Sequence, residues 1–249
     1  MPEPDRPPPR IAMWSGPRNI STAMMRAFEN RSDCAVSDEP LYGAWLKLSG
    51  EPHPMREAVI ESMDNDWRSV VETLTGPAPE GAAVWYQKHM THHLLPEMME
   101  TGWMSKLVHV FLIRDPRHVV ASYLGKRDTV SPEDIGVPQQ QRIHDFIVGR
   151  VGQTPLVIDS GEFLQDPEAH LRALCDRLAI PFEPAMLSWP PGPRDSDGVW
   201  ASHWYEKVWA STGFGPPPDE RPQLEGQPEA VARSCLPMYQ QLYARRLTV

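Results

Sequence analysis

Arg18, Ser21 and Thr22 stand where a short apolar run gives way to a helix, in the stretch IAMWSGPRNISTAMMR over 11–26. Ile11 to Trp14 read as a strand, Ser15-Gly16-Pro17 as a tight turn, and the residues after Arg18-Asn19 as a helix with two hydroxyls in its first turn. The first amides of a helix have no internal partners and carry partial positive charge. With Arg18 beside it, such an end is suited to phosphate or sulfate. It is not the common nucleotide-triphosphate loop: GxxxxGK[ST] is absent, and no Lys adjoins Ser21 or Thr22 to reach a γ-phosphate.

The elements that must position these groups alternate. Cys34 to Ser37 read as a second strand that ends at Asp38-Glu39-Pro40, and residues 41–75 as helices broken by Gly50 to Pro54. Ala82 to Gln87 form a third strand that ends at Lys88. Leu107 to Ile113 form a continuous apolar strand covered on both faces, which runs into Arg114. Pro116 to Leu124 and Pro167 to Leu178 are helices with proline in the first turn, and Leu156 to Ile158 are another buried strand. Strands alternating with helices predict a three-layer α/β/α sandwich around a parallel sheet, with ligands beyond the carboxyl ends of the strands. Arg18, Glu39, Lys88 and Arg114 all fall at those ends.

The 249 residues suit one domain over 10–249, with a flexible Pro-rich tail over 1–9 and a C-terminal lid or helical extension over 190–249. A net charge of −9 disfavours nucleic acid as a partner. No segment reaches about 18 apolar residues, so no membrane association is expected. Cys34, Cys175 and Cys235, odd in number and widely spaced, point to reduced thiols in a cytoplasm. His89, His92 and His93 lack partnered Cys or Asp at ligand spacing, and no metal is expected.

With the strand ends placed, residues Arg10 to Trp189 resemble the sulfotransferase family, which uses 3′-phosphoadenosine 5′-phosphosulfate (PAPS) on a P-loop-like fold. The loop Gly16-Pro17-Arg18-Asn19-Ile20-Ser21-Thr22 is similar to the family's 5′-phosphosulfate loop, with Asn-Ile in place of Ser-Gly. FLIRDPRHVVASYL matches its 3′-phosphate motif through Arg114 and Ser122. IDSGEFLQDPEAHLRALCDRLAIPFEP resembles its later strand, turn and helix. Asp38-Glu39-Pro40 resembles the segment that carries a catalytic Glu in bacterial and Golgi-type members. Two departures are Ala23, where many members stack an aromatic on adenine, and Arg194 to Trp200, which echoes a C-terminal 3′-phosphate segment without its Lys.

The resemblance implies transfer of a sulfuryl group from PAPS, leaving 3′,5′-adenosine bisphosphate (PAP), to a hydroxyl or amine of a small or medium acceptor. Arg18, Ser21 and Thr22 would hold the 5′ end, with Asn19 and Ile20 completing the loop; Arg114 and Ser122 would hold the 3′-phosphate, with Arg117 a weaker phosphate candidate. Glu39 would be the general base, with His89, and after it His92 or His93, as rivals. Lys88 would either stabilise charge on the leaving or bridging oxygen or simply pair with Glu39. Trp200, His203, Trp204, Tyr205, Trp209 and Phe214 would either line an acceptor pocket or pack a lid. Two other readings stay open: a kinase-like phosphotransferase, with Asp159 the only candidate for Mg²⁺, and a non-catalytic nucleotide- or partner-binding relative.

Overall fold

The computed structural model describes residues 8–125, 127–217 and 221–249; most of the expected 1–9 tail lies outside the described residues, as do 218–220 of the expected lid. Five strands form one parallel sheet in the order β2-β3-β1-β4-β5. They are β1 (Arg10–Ser15), β2 (Cys34–Asp38), β3 (Val84–Met90), β4 (Val108–Ile113) and β5 (Leu156–Asp159). Helix α1 (Ser21–Glu29) follows β1; α2 (Tyr42–Ser49), α3 (Arg56–Ser62) and α4 (Trp67–Thr75) link β2 to β3; and α5 (Thr101–Met104) precedes β4. Helices α6 (Pro116–Leu124) and α7 (Val137–Phe146) lead to β5, which is followed by α8 (Ser160–Phe163) and α9 (Pro167–Leu178). The chain ends with α10 (Ala201–Trp204), α11 (Glu206–Trp209) and α12 (Gly226–Tyr243).

Both faces of the sheet are covered, which is why its strands read as near-continuous apolar runs. On one face Ile11, Met13 and Tyr86 pack against Met24, Met25 and Phe28 of α1 and Leu171 and Leu174 of α9. On the other, Trp14, Trp85 and Phe111 meet α4, α7 and Leu242 of α12. Each fully buried side chain of this size contributes roughly 1.5–3 kcal/mol. Helices α6 and α9 start with ordinary capping chemistry: Asp115 accepts from Arg117 N–H and Asp166 from Ala169 N–H, each followed by proline.

The third strand departs from expectation. It does not stop before Lys88 but continues through Lys88 and His89 to Met90, with every residue buried. Polar residues end a strand only when they must reach water, and both of these find partners inside. The register sets Lys88 beside Met13 on one side and beside Asp38 on the other.

The carboxyl ends of the strands meet α7 through two glycines. A Cβ on Gly16 would lie 2.7 Å from Ile135 O, and one on Gly136 (φ +75°) would lie 3.1 Å from Gly16 Cα. Gly16→Ala should therefore destabilise by about 1–3 kcal/mol, the usual range for overpacking. In thermal unfolding that is a Tm lower by about 2–12 °C for a chain of this size; an unchanged Tm would mean that α7 is free to withdraw.

Candidate active site

Two residues of the turn after β1 hold left-handed backbone without being glycine, Arg18 at φ 57° and Ile20 at φ 49°. Such a conformation is uncommon for any side chain and an outlier for a β-branched one. It persists because the loop is tied down: the Asn19 amide donates to Leu112 O at the end of β4, and Gln140 Nε2 of α7 donates to the same carbonyl at 2.8 Å. The chain thus enters α1 with Ile20 as its cap residue, which supplies no side-chain acceptor. The first bond of the helix runs from Met24 N–H to Ile20 O. The preceding amides, of Ser21, Thr22 and Ala23, form its positive end.

Two cations converge on this loop. Arg18 Nε donates to Ser122 Oγ at 3.0 Å, and Arg114 Nη1 donates to Arg18 O at 2.6 Å. Neither guanidinium forms an ion pair with a carboxylate among the described residues. Burial lowers the pKa of both, and for Arg114 the neighbouring Arg18 lowers it further. Like charges held together and partly out of water are destabilising unless an anion joins them. Arg18, Arg114, Ser122 and the loop are thus brought together, although the Ser122 hydroxyl, expected to act with Arg114, is bonded to Arg18.

A second cluster lies on the neighbouring strand ends. Lys88, at 1% side-chain exposure, donates to Asp38 Oδ1 at 2.8 Å and to Glu39 Oε1 at 2.5 Å. Its ammonium also reaches Tyr205 OH at 2.5 Å, and that phenol donates to Asp38, 2.8 Å from Oδ2. Burial raises the Glu39 pKa, Lys88 pulls it back and Asp38 raises it again. For Lys88, burial alone would lower the pKa, but the two carboxylates carry it well above the ordinary lysine value. One ammonium thus serves two acids, and Glu39 is the acid left poorly matched. Its backbone is also left-handed, at φ 47°.

Several expectations need correction. His89 is not a rival base: alternation along β3 turns it to the opposite face from Lys88, where it stacks on Trp14 with ring centroids 4.5 Å apart. Burial, then the nearby His109 and Lys88, lower its pKa to about 3. His93, rather than His89, is the histidine beside Glu39, with Nδ1 3.8 Å from Oε2. It stacks on both Tyr42 and Trp45, while His92 meets Trp45 edge-on. Arg117 is turned away from the cradle and pairs with Glu229 of α12. The segment after Arg194 does not reach Arg114 either, because Asp197 is held by Arg26 in the second half of α1 at 2.6 Å. The C-terminal aromatic residues divide: Trp200 and Tyr205 pack with Tyr42 and Trp45 near Glu39, while Phe214 packs on Phe163 and Trp189. Among the described residues no group of three or more His, Cys, Asp or Glu is placed to hold a metal ion, and no helix is long and apolar enough to cross a membrane.

The class of protein is given by comparison of this parallel α/β sandwich with known proteins. Residues 9–246 match the sulfotransferase domain family, and the chain belongs to that family. Branched-chain-amino-acid aminotransferase-like proteins 2 and 1 of Arabidopsis thaliana are 36% identical over 230 residues and 37% identical over 214 residues, covering 92% and 84% of this chain. The chain spans only 40% and 37% of their lengths. The sulfotransferase domain of the Synechococcus PCC 7002 olefin synthase aligns over 98% of both chains at a TM-score of 0.57 and 16% identity. A sulfotransferase from Alicyclobacillus acidocaldarius aligns over 96% of this chain and 97% of its own at a TM-score of 0.56 and 15% identity. These two structures share the fold.

Buried imidazoles make stability depend on pH. Burial holds His89 to about 3 and His109 to about 4. Unfolded, each takes up a proton near pH 6.5. Between those values the unfolded state binds more protons, so the contribution is complete above pH 6.5 and is lost as pH falls. Urea unfolding should show each costing about 2 kcal/mol by pH 5. His89→Gln, though less stable at pH 7, should lose correspondingly less between pH 7 and 5; equal losses in the two proteins would contradict the assignment.

Proposed function

We propose that the protein is a PAPS-dependent sulfotransferase acting on a hydroxyl, or an amine, of a small or medium acceptor. The observation that carries this reading is the convergence of Arg18 and Arg114 with Ser122 at the start of α1, without a carboxylate partner among the described residues. Arg114 and Ser122 would hold the 3′-phosphate. Arg18, the α1 amides and the Ser21 and Thr22 hydroxyls would hold the 5′ end and stabilise the charge that develops there. The donor supplies the sulfuryl group: the acceptor oxygen bonds to sulfur as the bridging oxygen leaves with its electron pair on PAP, and the acceptor proton passes to Glu39.

Glu39 suits the role of base because its pKa is raised by burial while a cation keeps it ionisable. A positioned general base contributes roughly 10²–10⁴-fold. Tyr42, Trp45 and His93 beside it, with the imidazole held uncharged by burial, favour an uncharged organic acceptor. The amino-group transfer named for the plant relatives has no part in this reading.

Isothermal titration with PAP, with and without Mg²⁺, tests the donor site. Micromolar, metal-independent binding is expected. Arg114→Ala should weaken it about 10- to 150-fold, the equivalent of a charge-assisted hydrogen bond, while Glu39→Gln should bind normally and lose turnover. Failure of the unaltered protein to bind would sink the PAPS reading. Binding of ATP that requires Mg²⁺ would favour a phosphotransferase instead.

A further inference from the structure

An ammonium has three protons, and Lys88 Nζ has three acceptors: Asp38 Oδ1 at 2.8 Å, Glu39 Oε1 at 2.5 Å and Tyr205 OH at 2.5 Å. None is left for a sulfuryl or leaving oxygen. The other carboxylate oxygen, Glu39 Oε2, is not held by Lys88. The nearby His93 Nδ1, at 3.8 Å, is too far for a hydrogen bond.

The third acceptor is supplied from a distant part of the chain. Residues 197–209 form a strap closed at its neck, where Asp197 accepts from Trp209 Nε1 at 2.9 Å and from Arg26 of α1. Two of its residues, Gly198 and Tyr205, reach the acid pair, and a third, Trp200, holds the Tyr205 phenol. Tyr205 OH accepts a hydrogen bond from Lys88 and donates one to Asp38, and Trp200 Nε1 donates to the same phenol at 3.3 Å. Gly198 N–H points to Asp38 Oδ2 at 3.5 Å. Gly198 is required there, since a Cβ would fall 2.1 Å from the Trp200 ring.

We infer that Tyr205 is a positioning residue: through Asp38 and Lys88 it fixes Glu39 Oε1, leaving Oε2 to take the acceptor's proton, and Lys88 serves this carboxylate rather than the donor. The inference rests on Glu39 being the base. Asp38 and Glu39 compete for one ammonium, and the phenol satisfies Asp38 so that Glu39 keeps its share. Without the phenol Asp38 draws Lys88 away. The charged and titratable groups facing Glu39 are Asp38 from β2, Lys88 from β3, His93 from the turn after it, Tyr42 from α2 and Tyr205 from the strap. Tyr205→Phe changes only the last.

The test follows Glu39 itself. In protein labelled with ¹³C at the glutamate carboxyl, the Glu39 signal is the one missing from Glu39→Gln. In Tyr205→Phe it should titrate about half to one pH unit higher, as expected for a carboxylate that loses hydrogen bonds to its charged form, with PAP affinity unchanged. The same titration in a folded variant would overturn the inference. A second measurement needs no variant that must fold. Lys88 is one of five lysines, and in ¹⁵N-lysine spectra of the unaltered protein its ammonium should exchange slowly and stay in place when PAP is added. Fast exchange with water, or a Lys88 signal moved by PAP, would overturn the inference. PAP failing to bind the unaltered protein would instead remove the proposed donor, leaving both the Glu39 titration and the exchange rate to decide the network.

Discussion

A lysine ammonium at 1% exposure must be matched by negative charge, and much of the site is arranged around that requirement at Lys88. Parallel pairing of β2 with β3 sets Asp38 opposite it. Glu39 N–H then bonds to Lys88 O at 2.9 Å, and the left-handed turn at Glu39 folds its carboxylate back onto the same ammonium. The turn also starts α2, whose first amide, of Tyr42, bonds to Glu39 O at 2.9 Å. Two acids exceed one cation, and the excess draws in a phenol and an amide from residues 198–205. Placing one charge inside the sheet thus settles the end of β2, the start of α2 and the course of the chain more than a hundred residues later.

The neighbouring strand ends carry the opposite imbalance. Arg18 and Arg114 leave the tip of β1 and β4 with positive charge in excess, while Asp38, Glu39 and Lys88 leave the tip of β2 and β3 with negative charge in excess. On the proposed reading, a site polarised in this way holds the donor anion on one side and takes the acceptor's proton on the other with little reorganisation. The strained backbone of Arg18 and Ile20 belongs to the same economy. Asn19 and Gln140, both bonded to Leu112 O, over-determine the loop and keep its amides aimed outward.

The parts of this arrangement that were legible in the sequence are those fixed by local pattern. A charge that follows an apolar run has to emerge at a strand end, which is how Arg114 could be placed; Ser122 follows from the motif resemblance, and its hydroxyl meets Arg18 instead. Lys88 defeated the same rule because its neutralising acids come from another strand, so the polar residue did not end β3. Once the strand runs to Met90, the two-residue period settles that Lys88 and His89 face opposite ways. Tyr205 stood among aromatic residues whose roles as pocket or packing could not be told apart. Nothing local marks a phenol that bonds a lysine 117 positions earlier. For Asn19 the sequence leaves two roles, backing up the loop or tolerating an unusual dihedral; its amide does the first, and the left-handed angles fall on Arg18 and Ile20.

The closed neck at Asp197 and Trp209 has an evolutionary consequence. Because Arg26 moors the strap to a helix of the core, its outward-facing residues can be exchanged without disturbing the order of the sheet. Ser202, His203, Glu206 and Lys207 are exposed, while Trp200 and Tyr205 are buried. Drift at the four outer positions can vary what the chain meets at its surface, and the inner pair remains as a fixed keel beneath them.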